Sequence, residues 1–191
     1  MSIFEFVLIV VSLVMAIGYT TLLREASSMI GNRETSQFDF LKAIWIATLF
    51  LYIPAHWWSL WDFRAVDWTF PSYFLLLLTP TCLYLVISLL TEWRLPIGEG
   101  TPEKSFERVR VPFFLILAVG QINGSLDGWI YSNEPLVNSL LWVQILMVLF
   151  FIVGVATPNR AAQRVIAISV FVLLAFAMFG LRYLPGAFGP G

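Results

Sequence analysis

The stretch Pro54-Ala55-His56-Trp57-Trp58-Ser59-Leu60-Trp61-Asp62 closes a long apolar run and contains the only histidine of the chain. Set on a helix, its two sides differ. Trp45, Thr48, Tyr52, His56 and Ser59 recur at three- and four-residue intervals and form one polar stripe. Pro54, Trp57, Trp58 and Trp61 fall on the opposite side. An ionisable stripe facing away from an indole cluster predicts a membrane-spanning helix near its end, with the stripe toward protein and the indoles toward lipid headgroups.

The whole chain has the same character. Of its 191 residues, 59% are hydrophobic and 12% charged, against about 25% charged in an ordinary soluble domain. The net charge is −1 and the few charges sit in short segments between apolar runs, so membrane lipid is an expected partner and nucleic acid is not. Cys82 stands alone, which rules out an intramolecular disulfide and a cysteine metal cluster. The N-terminal Met1-Ser2-Ile3-Phe4-Glu5 has no basic region and no small-residue cleavage site, so the first apolar run is expected to stay in the mature protein.

Six apolar runs, at 3–23, 40–61, 70–90, 111–131, 136–156 and 165–183, each have the length of about 20 residues needed to cross a bilayer as a helix. None alternates as a barrel strand would. The fold class is therefore all-α: one six-helix transmembrane domain over 1–191. Arg24, Arg33 and Lys42, then Arg94, Lys104, Arg108 and Arg110, then Arg160 and Arg164 fall on one side, leaving Arg64 and Arg182 for the other. The positive-inside rule puts the basic loops in the cytoplasm and both termini on the outer, periplasmic side. Trp57, Trp58, Trp61, Trp68 and Trp129 then gather at the outer boundary as interface anchors, with Trp93 at the inner one. Thr101-Pro102-Glu103-Lys104 carries a cap, an N1 proline and an acid, predicting a short interfacial helix before the fourth span.

Several features can carry chemistry. His56 lies about 21 Å along its helix from Lys42 at 1.5 Å per residue, in the outer leaflet, just above Pro54, where a kink is expected. Its functional reading is a proton carrier or a ligand; its plainer reading is an imidazole hydrogen-bonded between helices. Gly120, Gly124 and Gly128 form a packing ridge on the fourth span. Asn123 and Asp127 border one side of that ridge, with Gln121 and Ser125 on the other. At similar depth on neighbouring helices, Asp127 and His56 can form a protonatable pair, with Tyr52, Gln121 and Asn123 completing a polar pocket and Glu5 at its mouth. Glu5 also fits a simpler role, complementing the dipole of the first helix. Pro80 at mid-span frees the carbonyl of Leu76, which a nearby threonine can satisfy. Gln144 reads as interhelical glue, and the sixth span as a lipid-facing or scaffolding helix.

No catalytic set and no metal site is predicted: Walker, GxSxG, HExxH and CxxC patterns are absent. No cofactor is predicted either. A b-type haem would need a second axial ligand from another copy of the chain, and quinone binding stays open without a motif behind it.

Ile3-Phe4-Glu5-Phe6 with Ser12, Leu22 and Leu23, followed by Trp57-Trp58-Ser59-Leu60-Trp61, resembles a family of uncharacterised bacterial membrane proteins of six predicted spans. The resemblance implies a multi-pass protein of the bacterial inner membrane and no particular activity. Three functions are compatible with these observations. The favoured one is a non-catalytic protein acting by helix packing, as a self-assembling unit or a subunit of a larger complex. The second is a small channel or proton-coupled carrier using the outer-leaflet pocket. The third is a lipid- or quinone-handling enzyme at the outer leaflet.

Overall fold

Helices account for all regular secondary structure among the described residues, which in this computed structural model are 2–31, 39–64, 66–93, 102–131 and 139–180. They are α1 (Ile3–Gly31), α2 (Phe40–Ser59) with a 3-10 turn at Leu60–Phe63, α3 (Phe70–Glu92), α4 (Pro102–Tyr131), α5 (Ser139–Ala156) and α6 (Arg160–Ala175) ending in a π-helical turn at Phe176–Gly180. Five of these stretches are long and apolar enough to cross a membrane, and Leu141–Ala156 is a shorter apolar helix. Residues 136–138 and 181–183 of the expected fifth and sixth spans lie outside the described residues.

The starts are chemically specified. Ser2 and Glu5 cap α1 reciprocally, Ser2 N donating to Glu5 Oε2 (2.7 Å) and Glu5 N to Ser2 Oγ (3.2 Å). Asp39 caps α2 by accepting from Leu41 N and Lys42 N. Thr69 and Ser72 form a capping box ahead of α3, and Asn159 caps α6. Two elements depart from expectation. Among the described residues no separate interfacial helix precedes the fourth span: the chain from Pro102 is already α4, 30 residues long. No glycine stands between Pro102 and the apolar run to stop the helix before it. Likewise α1 continues to Gly31, because Glu25 is held by a partner beyond the apolar stretch.

Packing pairs close a ring, α2–α3–α4–α5–α6 and back to α2, with α1 laid against α2 and α3. Its centre is aromatic. The Trp45 indole meets Phe113 and Phe114 edge-on, with ring centroids 5.1 and 5.5 Å away, and Phe113 meets Phe114 at 5.5 Å and 88°. Each such pair adds about 0.5–1.5 kcal/mol beyond area burial. Large apolar side chains also cover the exterior: Ile9, Leu13 and Ile17 on α1, Leu115, Val119 and Ile122 on α4, Leu149 and Ile152 on α5, Val165 and Val172 on α6. A water-facing surface would carry charges there instead.

One end of the bundle is tied together by ions. Lys42 Nζ donates to Glu25 Oε2 (3.1 Å) and to the Trp93 carbonyl (3.2 Å). Arg160 pairs with Asp39 at 3.0 Å. The Arg110 guanidinium donates to the carbonyls of Gly154, Val155 and Thr157, satisfying the C-terminal groups of α5. Gln163 Nε2 reaches the same carbonyls of Gly154 and Thr157. These contacts bring the C-termini of α1, α3 and α5 to the N-termini of α2, α4 and α6, so the helices run alternately up and down. The opposite end contains the site.

Candidate functional site

At the end away from the ion pairs, α2 through α6 surround a cavity of about 150 Å³. The polar stripe of α2 leads into it. Trp45 and Thr48 are buried deeper in the bundle, and Thr48 Oγ1 donates to the Ile44 carbonyl at 2.8 Å. One turn further, Tyr52 donates its hydroxyl proton to Gln121 Oε1 on α4 at 3.0 Å. His56 and Ser59 follow on the cavity wall, the Ser59 hydroxyl donating to the His56 carbonyl at 2.7 Å. Asp62, from the 3-10 turn, also lines it.

From α4 come Gln121, Gly124, Asp127 and Gly128. Asp127 is 2% exposed. Its Oδ2 accepts from Asn123 Nδ2 at 3.0 Å, while Oδ1 has no protein partner among the described residues, and neither does His56 Nε2. A buried acceptor left unpaired costs about 1–3 kcal/mol, so both atoms are poised for water or a ligand. Val143, Gln144 and Met147 of α5 close one side, and Leu174, Ala177 and Met178 close another. The last two belong to the π-helical turn, an irregularity that recurs at functional sites.

The cavity is blind toward the ion-paired end. Beneath the Tyr52–Gln121 contact is a void of about 10 Å³, lined partly by Thr79, Cys82 and Phe151, with room for about one water. Below that stand Trp45, Phe113 and Phe114, none exposed.

Of the residues singled out in the sequence, Tyr52, His56, Gln121 and Asp127 are brought together. They do so across the ring rather than on neighbouring helices, since α2 packs mainly on α6 and α1, and α4 on α3 and α5. Asn123 is turned away. Its amide is shared among the Leu75 carbonyl (2.9 Å), Thr79 Oγ1 (3.0 Å) and Asp127 Oδ2, which makes it a clamp onto α3. Glu5 caps α1 and is not part of the lining, because its carboxylate is drawn back to the Ser2 amide. The glycine ridge is occupied within the chain: a Cβ on Gly120 would stand 3.0 Å from Cys82 Cβ, and one on Gly124 3.7 Å from Thr79 Oγ1. Gly128 sits on the cavity wall. Trp57, Trp58 and Trp61 are each about half exposed at this end. Trp57 donates to Ser12 Oγ at 3.1 Å, and Arg64 lies over the Trp61 ring. Trp68 instead stacks on Phe4, and the Trp129 side chain lies outside the described residues. The Leu76 carbonyl is not the one served by a threonine; Thr81 Oγ1 donates to the Leu77 carbonyl at 2.7 Å.

Sequence reasoning missed the wall contributed by α5 and α6. Gln144 interrupting an apolar helix was the only signal for it. Among the described residues no group of three or more His, Cys, Asp or Glu side chains is arranged to hold a metal ion.

Fold and site together define a class: an all-helical bundle of apolar helices with a blind, mixed-polarity cavity at one end. The chain matches no protein-family model, and no curated protein or solved structure is significantly similar to it.

Proposed function

We propose that the chain is a multi-pass protein of the bacterial inner membrane, crossing six times with both termini outside, and that it works by binding a small amphipathic molecule in the cavity from the outer side. The apolar exterior and the five long apolar helices support the membrane assignment. The ion-paired end, which carries most of the lysines and arginines, is then cytoplasmic.

One observation carries the binding function: Tyr52, His56, Gln121 and Asp127 converge on a cavity whose wall is otherwise apolar but for Ser59, Asp62 and Gln144, and whose far side is closed by aromatic rings. Concave, mostly apolar spaces with a few convergent polar groups are the usual form of ligand sites. The closed far side argues against an open channel and fits the outward-facing form of a carrier. The glycine ridge offers no argument for self-assembly, since α3 packs on Gly120 and Gly124 and Gly128 faces the cavity.

Accessibility tests this reading. In a Cys82→Ala background, Ser59→Cys is expected to react with a membrane-impermeant thiol reagent added to intact spheroplasts and not to inverted vesicles. Reaction from the vesicle side alone would reverse the orientation. No reaction from either side, in protein that reacts once solubilised and denatured, would remove the accessible cavity.

A further inference from the structure

We infer that the cavity selects a small organic cation, a protonated amine attached to an apolar group about the size of one ring; this rests on the cavity being a ligand site. The charges of the lining point one way. Asp127 and Asp62 are its carboxylates, and among the described residues no lysine or arginine lines it. Asp127 is the decisive group: nearly fully buried, held through one oxygen by Asn123, and presenting the other without a partner among the described residues. An ammonium donates where that oxygen needs a donor, and a charge-assisted hydrogen bond of this kind is about twice as strong as a neutral one. A carboxylate ligand would meet like charge in a poorly solvated space, which is strongly unfavourable.

The rest of the ligand is dictated by the wall. Leu76, Met147, Leu174 and Met178 offer apolar contact, and methionines adapt their shape to it. A volume of about 150 Å³ is that of cavities which accept benzene, so a single ring or a short branched chain fits, and a larger amphiphile does not. His56 Nε2, also unpartnered, gives a second polar contact on the α2 side.

Three probes of matched shape test the inference: benzylamine, benzyl alcohol and benzoate, titrated calorimetrically into the full chain in lipid nanodiscs. Benzylamine is expected to bind about tenfold or more tightly than benzyl alcohol, as one charge-assisted contact allows, with benzoate weakest. Asp127→Asn, which keeps an acceptor for Asn123, is expected to erase the preference, bringing benzylamine to the affinity of benzyl alcohol in the same variant. Equal binding of amine and alcohol to the unaltered protein, or a preference for benzoate, overturns the cation assignment and leaves the cavity as a ligand site. Failure of all three probes overturns both. A preference that survives Asp127→Asn overturns the role given to that carboxylate.

Discussion

The Tyr52 hydroxyl and Gln121 Oε1 lie 3.0 Å apart on helices that are not principal packing partners, and their hydrogen bond forms the floor of the cavity. It is a bridge across the ring. Tyr52→Phe leaves the Gln121 carbonyl oxygen without this donor, at a cost of about 1 kcal/mol for an interhelical bond in an apolar bundle. The double variant Tyr52→Phe with Gln121→Leu is expected to cost less than the sum of the single changes. Reversible unfolding in mixed detergent micelles, read as a double-mutant cycle, measures that difference; strict additivity would deny the bridge.

Glycines of the ridge are predicted to differ in sensitivity. A Cβ at 3.0 Å from Cys82 Cβ requires α3 to give by a few tenths of an ångström in a packed seam, whereas 3.7 Å is ordinary contact. Gly120→Ala is therefore expected to destabilise by about 1–3 kcal/mol, and Gly124→Ala to be near neutral or stabilising through its better helix propensity. Midpoints of thermal unfolding in one detergent compare the two. The reverse order would contradict the packing described.

A sharper steric test lies on α5. A Cβ on Gly154 would come within 2.7–2.8 Å of the buried Phe114 ring. Since Phe114 also packs on Trp45 and Phe113, it has nowhere to retreat. Gly154→Ala is expected to lower stability by about 1–3 kcal/mol, and Phe114→Leu to recover part of it. Yield and melting temperature of the single and double variants are the readout.

The Lys42–Glu25 pair is buried, with 8% and 4% of the two side chains exposed. Lys42→Met removes a paired cation from a buried carboxylate, a loss of up to about 3–5 kcal/mol in comparable pairs. Lys42→Met combined with Glu25→Leu is expected to recover most of it, because two apolar groups need no counter-charge. Denaturant titration of both variants checks this, and equal losses would show that the pair acts independently.

Much of the architecture was legible because apolar runs and basic segments are strong one-dimensional signals. The polar stripe of α2 was legible too, since its members share one helix and obey its period. What the sequence could not display was the pairing of α2 with α4 across the ring, which depends on how α6 closes it. The walls from Met147, Leu174 and Met178 were hidden for another reason: apolar side chains facing a cavity and facing a core are spelled alike. Asn123 misled because it stands one turn from Asp127, yet its amide is taken by Leu75 and Thr79. Glu25 falls past the apolar run, and nothing local in the sequence signals its pairing with Lys42 seventeen residues on.

The ring order has a bearing on biogenesis. Among the described residues the N-terminal helix packs mainly on the second and third, so the early hairpins can dock as they are made. The sixth helix must travel back to the second. Until that docking event the cavity lacks the side given by Leu174, Ala177 and Met178, so its enclosure arrives only with the sixth helix.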